Sequence, residues 1–157
     1  MARWLAPAED RAWRGYRLMR TLLDLQLARD LTADSALSEA DYDVLSTLSE
    51  APGDQWRASE LAARLLWSTS RLAHHVGRMQ KRGLVARQAV DFDGRGATIV
   101  LTEAGRATLE AAAPLHLESV RRNLFDLLTP AEIDALAAIS AKVVERLATS
   151  RTTEPPV

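Results

Sequence analysis

Arg71, His74, His75 and Arg78 recur at i, i+3, i+4 and i+7, the spacing that lines side chains along one face of a helix. Leu72, Val76 and Met79 form a second, apolar stripe on the same segment. Such a helix packs one face and presents a basic, hydrogen-bonding face elsewhere. An arginine can donate two parallel bonds to guanine in the major groove, and a histidine can bond a base edge or a phosphate. Ser68, Thr69 and Ser70 stand where the helix begins, and their hydroxyls and the free backbone N–H groups there can reach phosphates. A solvated charged face is the alternative. Solvated faces usually mix signs through i, i+4 pairs, however, and no acid occurs between Glu60 and Asp91.

A second candidate follows at once. Arg95 lies in Asp93-Gly-Arg-Gly96, between two β-prone runs, at the expected tip of a hairpin. A narrow A·T-rich minor groove has enhanced negative potential and attracts such an arginine. Asp93 could orient its guanidinium through a charge-assisted bond. An ordinary polar turn is the alternative.

The charge distribution agrees. The 157-residue chain has a formal net charge of −1, which excludes a uniformly basic coat but not a local patch. Residues 57–96 carry eight bases against three acids, so that segment is +5 and the remainder −6. Residues 31–56 hold six acids and no Lys or Arg, and read as a solvated face. A basic middle in an acidic body concentrates positive potential on one region.

Several elements must position these groups. A first amphipathic helix is expected over about Glu9–Arg29. Ser38 and Asp41 have capping-box spacing, with Leu37 and Tyr42 at the staple positions, and that helix should stop before Pro52-Gly53. A short helix over Ser59–Leu66 follows, and then the basic helix, capped by Ser68 and closed by Gly83. Leu84–Val90 and Ala97–Thr102 read as the hairpin. Thr102 caps a long helix to about Leu127, in which Pro114 should produce a kink or break. Thr129-Pro-Ala-Glu132 starts the last helix, whose Ile133, Leu136, Ala137, Ser140, Val143, Val144 and Leu147 form a long, mostly apolar stripe. The expected fold is mainly α with a small β-hairpin: a winged helix-turn-helix over 38–102, helical dimerisation regions at 1–37 and 103–150, and a disordered tail at 151–157.

Other chemistries find little support. The absence of cysteine excludes disulfides, thiolate nucleophiles and Cys-ligated zinc. There is no Gly-rich phosphate loop, no serine in a nucleophile elbow and no His-Glu metal motif, so an enzyme is not expected. His74 and His75 are adjacent, about 100° apart around a helix, and cannot act as the i, i+4 pair of a helical zinc site. Neither a metal nor a cofactor is expected. No apolar run approaches the roughly 20 residues of a membrane helix, and the first ten residues lack the apolar region of a secretory signal. Cytoplasmic residence is expected.

Ser59-Glu-Leu-Ala62, Ser70-Arg-Leu-Ala-His-His-Val-Gly-Arg-Met79, Lys81-Arg-Gly-Leu-Val-Ala-Arg87, Asp93-Gly-Arg95 and Leu101-Thr-Glu-Ala-Gly105 together resemble the MarR family, the multiple antibiotic resistance regulators. The likeness runs from about Leu18 to Leu147. It implies a homodimeric winged helix-turn-helix transcription regulator that dimerises through its terminal helices and loses DNA affinity when a small ligand binds. The family's DNA contacts map onto Ser70, Arg71, Ala73, His74, Arg78 and Arg95. Two positions depart from its pattern: His74 stands where Arg is frequent, and Gly77 where Asp is frequent. Glycine there lowers helix propensity by about 1 kcal/mol relative to alanine.

The expected partners are double-stranded DNA with a palindromic operator, a second copy of the chain and a small-molecule effector. The expected action is repression, since occluding a promoter requires only binding. Trp13, Tyr16, Tyr42 and His116 are candidate ligand contacts, because rings with polar tips suit small aromatic acids or phenols; plain core or interface packing is the alternative. Protonation of His74 and His75 is expected to raise DNA affinity as the pH falls through about 6.5. Two other readings stay open: a winged helix serving protein contacts, and a DNA-binding regulator that answers to no ligand.

Overall fold

The computed structural model describes residues 3–89 and 96–152. The chain forms two compact units, Met1–Ser119 and Val120–Val157. The order is α1 (Pro7–Ser35), α2 (Glu39–Ser49), β1 (Gln55–Arg57), α3 (Ala58–Arg64), α4 (Thr69–Lys81), β2 (Val85–Ala89), β3 (Ala97–Leu101), α5 (Glu103–Asn123) and α6 (Pro130–Thr152), with 3₁₀ turns at Pro52–Asp54 and Phe125–Leu127.

The helix starts follow from local chemistry. Ser38 Oγ accepts from Asp41 N at 3.1 Å while Asp41 Oδ2 accepts from Ser38 N at 3.0 Å, a closed capping box. Ser68 Oγ accepts from Arg71 N at 3.1 Å and opens α4. At α6, Thr129 Oγ1 accepts from Glu132 N at 3.3 Å and Glu132 Oε2 accepts from Thr129 N at 2.8 Å. α1 is longer than expected at both ends. Glu9 Oε2 accepts from Ala6 N at 2.8 Å before its first turn, and Ala36, at φ 57°, closes its last turn by donating to Thr32 O.

The sheet holds a strand that the sequence reading lacks. β3 pairs with β2 in the expected hairpin (Val85↔Leu101 to Ala89↔Ala97) and on its other edge with β1 (Gln55↔Val100 to Arg57↔Thr98), giving the order β1-β3-β2, all antiparallel. Three residues are too few to show alternation, so β1 carries no signal of its own.

α5 shows no break at Pro114 and is shorter than expected, ending at Asn123, not near Leu127. Proline removes one backbone donor. Leu109 and Ala112 on one side and Ser119 on the other are buried, and Ser119 Oγ donates to Asp30 of α1 at 2.6 Å. This anchorage on both sides outweighs one lost bond.

In the first unit the core is one apolar cluster. It joins Leu31 of α1, Val44, Leu45 and Leu48 of α2, Leu61 of α3, Leu72, Val76 and Met79 of α4, and the inner faces of β2, β3 and α5. α5 approaches the sheet closely at Gly105. A Cβ there would overlap the Leu84 carbonyl oxygen. Thr102 fixes the approach: its hydroxyl lies 2.6 Å from Gly83 O and 2.9 Å from Leu84 O, and accepts from Gly105 N at 3.0 Å. Gly83, at φ 74°, takes the left-handed conformation expected after α4. Among the described residues no helix is long and apolar enough to cross a membrane.

Candidate nucleic-acid interface

α4 divides its side chains as its two periodicities require. Leu72, Val76 and Met79 are buried, whereas Ser68, Thr69, Ser70, Arg71, Ala73, His74 and Arg78 are exposed. Those seven candidates lie along the first turns and one open face of the helix. His75 does not join them. It is 7% exposed and turns inward, its Nε2 2.9 Å from Asp41 Oδ1 of α2 and its ring edge-on to Trp67 at 5.5 Å between centroids. His75 lies one helical step, about 100°, beyond His74, enough to carry it from the open face to the packed one. The expectation that it faces nucleic acid is thereby corrected.

The basic groups of α4 are held in place. The Arg71 guanidinium lies 4.1 Å over the Trp67 ring. Arg78 bonds two histidines: Nη1 to His74 Nε2 at 3.2 Å and Nη2 to His75 Nδ1 at 2.8 Å. A guanidinium only donates. His75 Nδ1 is therefore the acceptor, the ring is neutral, and its proton sits on Nε2, which lies 2.9 Å from Asp41 Oδ1 without the alignment of a hydrogen bond. Asp41 Oδ2 accepts from Arg82 Nη1 at 2.7 Å, and Arg82 Nη2 donates to Ala36 O at 3.1 Å. The run Arg78–His75–Asp41–Arg82 thus ties α4 to α2 and to the end of α1.

The electrostatics match this proton placement. Burial first, then the Arg78 and Arg71 charges, hold the His75 imidazolium below its ordinary 6.5, against the opposing pull of Asp41. Burial would push the Asp41 carboxyl up. Hydrogen bonds from Arg82 and Ser38, with the Arg82 charge, outweigh it and leave Asp41 below the usual carboxylate range. Asp41 is therefore no member of a solvated acidic face; it is 4% exposed, its Oδ2 accepts from Ser38 N and Arg82 Nη1, and its Oδ1 lies 2.9 Å from His75 Nε2. Sequence reading found Asp41 only as a capping-box partner and one of the acids of 31–56, and Arg82 only among the bases of 57–96 and in the run Lys81–Arg87.

Arg95 and Asp93 lie outside the described residues, as does the tail from 153 onward. β2 and β3, which carry the 90–95 segment, are formed as expected.

Of the four candidate ligand contacts, two come together. Tyr42 and His116 meet at 4.5 Å between centroids and line a cavity of about 320 Å3 with Asp24, Leu27, Leu31, Glu39 and Asp43. Burial pushes the Glu39 and Asp43 carboxyls up, Glu39 being raised further by Asp24 and Asp43. His116 Nδ1 is buried and without a hydrogen-bond partner. Trp13 and Tyr16 do not line this cavity. They stack on each other at 6.0 Å, about half exposed, with Arg17 over Trp13 and Arg20 over Tyr16. Tyr16 precedes Asp24 by eight residues, about 12 Å along a helix, which is too far to share the site.

Three helices and a β-ribbon, with an exposed cationic helix in front of the ribbon, define a winged helix-turn-helix protein. A model of the MarR family matches residues 37–96. AbsC, a MarR family transcriptional regulator from Streptomyces coelicolor, is 40% identical over 94% of this chain and 99% of its own, with a TM-score of 0.88. Sco3205, a MarR family transcriptional regulator from the same organism solved in complex with DNA, is 38% identical over 93% of this chain and 92% of its own, also at 0.88. No curated protein matches the chain. The chain belongs to the MarR family of transcriptional regulators.

Proposed function

We propose that this protein is a homodimeric repressor that binds double-stranded DNA and is released by a small ligand. The exposed face of α4 carries the reading: Arg71, His74 and Arg78, with the Ser68–Ser70 hydroxyls at its N-terminus and no acid among them. A relative 38% identical to the chain was solved with DNA, which supports it. The region 38–102 reads the duplex. Residues 1–37 and 103–150 dimerise, and a two-fold dimer sets two recognition helices about 34 Å apart on a palindromic operator. Arg95, oriented by Asp93, enters the neighbouring minor groove. The protein acts in the cytoplasm.

The cavity at Tyr42 and His116 receives the effector. Asp24, Glu39 and Asp43 make it hostile to aromatic acids, so neutral phenols and aromatic amines fit it better. A ligand releases DNA only if it binds one arrangement of the recognition helices better than another.

Calorimetric titration with duplex from the protein's own upstream region, against scrambled duplex, at two salt concentrations, tests the reading. Tight, selective binding that weakens steeply with salt is expected. Arg71→Ala and Arg78→Ala should each cost about 5- to 150-fold, the share of one good base contact. Equal, weak binding to both duplexes, unchanged by either substitution, would instead assign the winged helix to a protein partner.

A further inference from the structure

We infer that His75 and Asp41, neither of them exposed, are positioning residues for DNA recognition: the buried pair fixes the imidazole tautomer that anchors Arg78 on the open face of α4. The inference rests on the DNA-binding reading above.

An exposed arginine has many rotamers, and ordering it on binding opposes affinity. Here Arg78 spends two of its five N–H donors on His74 and His75 and keeps three for a partner. The anchor works in one protonation state only. His75 Nδ1 can accept from Arg78 while its single proton sits on Nε2, and the Asp41 carboxylate, 2.9 Å from Nε2 though not aligned for a hydrogen bond, favours the proton there by its charge. Asp41 is itself fixed by Ser38 N and Arg82. A second proton on the ring would occupy Nδ1, remove the acceptor and set imidazolium against guanidinium. The charges bearing on His75 are Asp41 from α2, Arg78 and Arg71 from its own helix, and Arg82 through Asp41. The Arg71 charge also acts on Asp43 of α2. α3 and β2 contribute Glu60, Arg64 and Arg87, all exposed. Trp67, edge-on to the ring, is neutral.

The sign of the pH effect separates this role from simple attraction to phosphate. A histidine seeking phosphate tightens binding as it gains charge. A histidine that must stay neutral to hold Arg78 loosens it. The chain has three histidines. A His74→Gln background leaves His75 as the one titrating side chain of that type on α4, and His116 is common to every arm.

DNA affinity of full-length His74→Gln protein, titrated by calorimetry from pH 7.5 to 5.5 at fixed salt, should fall severalfold, short of the about tenfold worth of one directed contact because burial keeps His75 from being fully protonated at pH 5.5. Adding His75→Phe, which keeps a ring but no acceptor, should lower affinity by that full factor of about ten at pH 7.5 and remove the pH dependence. Adding His75→Gln, whose amide can face Asp41 and accept from Arg78, should restore affinity and stay flat. Nitrogen-detected NMR of the wild-type rings should find His75 protonated on Nε2, a readout independent of whether the phenylalanine variant folds. An Nδ1-protonated ring overturns the inference, and so does affinity that is flat or rises toward pH 5.5 while binding itself is intact. Failure of the wild type to bind duplex at pH 7.5 would overturn the DNA-binding reading and this inference with it.

Discussion

At the scale of single residues, α4 shows how one helical step decides a role. His74 and His75 look alike in sequence. One is exposed beside Arg78 and the other buried against Asp41. Arg78 itself depends on geometry as well as charge. A lysine keeps the charge but presents a single ammonium in place of a planar fork. Arg78→Lys should therefore leave the salt dependence and the weak binding to scrambled duplex unchanged while lowering operator affinity about tenfold, a loss of selectivity read by parallel titrations. Most of the open face was legible, because the 3.6-residue period separates Arg71, His74 and Arg78 from Leu72, Val76 and Met79 without knowledge of any partner. His75 was not. Its placement depends on Asp41, 34 positions earlier in the chain, and periodicity carries no information about contacts at that separation.

At the scale of elements, two glycines should behave oppositely. Gly105 lets α5 sit on the Leu84 carbonyl, so Gly105→Ala should destabilise by about 1–3 kcal/mol in urea denaturation. Gly77 has open space around it within α4, so Gly77→Ala should stabilise by about 1 kcal/mol through helix propensity. The tie between α2 and α4 has its own signature. Because His75 holds its proton less tightly folded than unfolded, the unfolded chain binds more protons below pH 6.5, and stability must fall as the pH drops through that range. Asp41, lowered by folding, adds a further loss only at more acid pH. The melting temperature should decline from pH 7 to 5.5 in the wild type and decline less in His75→Gln. The helix starts at Ser38, Ser68 and Thr129 were readable because a cap is a local bond between residues three apart. β1 and the continuity of α5 through Pro114 were not, because a pairing with β3 and the packing around Leu109, Ala112 and Ser119 decide them.

For the whole molecule, apolar surface remains to be covered. On α1, Leu18, Leu22 and Leu25 are exposed, as is Trp4 ahead of it, and on α6, Ile139, Val143, Val144 and Leu147 are each more than half exposed. Exposed apolar residues in such number on one helix mark an interface. If α6 pairs two copies as proposed, Val143→Glu with Leu147→Glu should yield a monomer in sedimentation velocity and weaken DNA binding by at least about tenfold, since two half-sites would no longer be bound as one. The cavity lends itself to a panel. Phenols and aromatic amines should raise the melting temperature and release DNA, whereas aromatic acids should do neither, and Asp43→Asn with Glu39→Gln should narrow that difference.

Trp67 is sandwiched by the groups that matter most for these experiments. The Arg71 guanidinium covers its face, and the His75 ring meets its edge. An excited indole loses emission to a protonated imidazole nearby and shifts in wavelength when a covering cation leaves. Trp67 is thus a built-in optical reporter, whose fluorescence should change colour when Arg71 turns toward a duplex and dim when His75 takes up a proton. In a protein in which Trp4, Trp13 and Trp56 have been replaced by phenylalanine, both events could be followed in real time without attaching a dye.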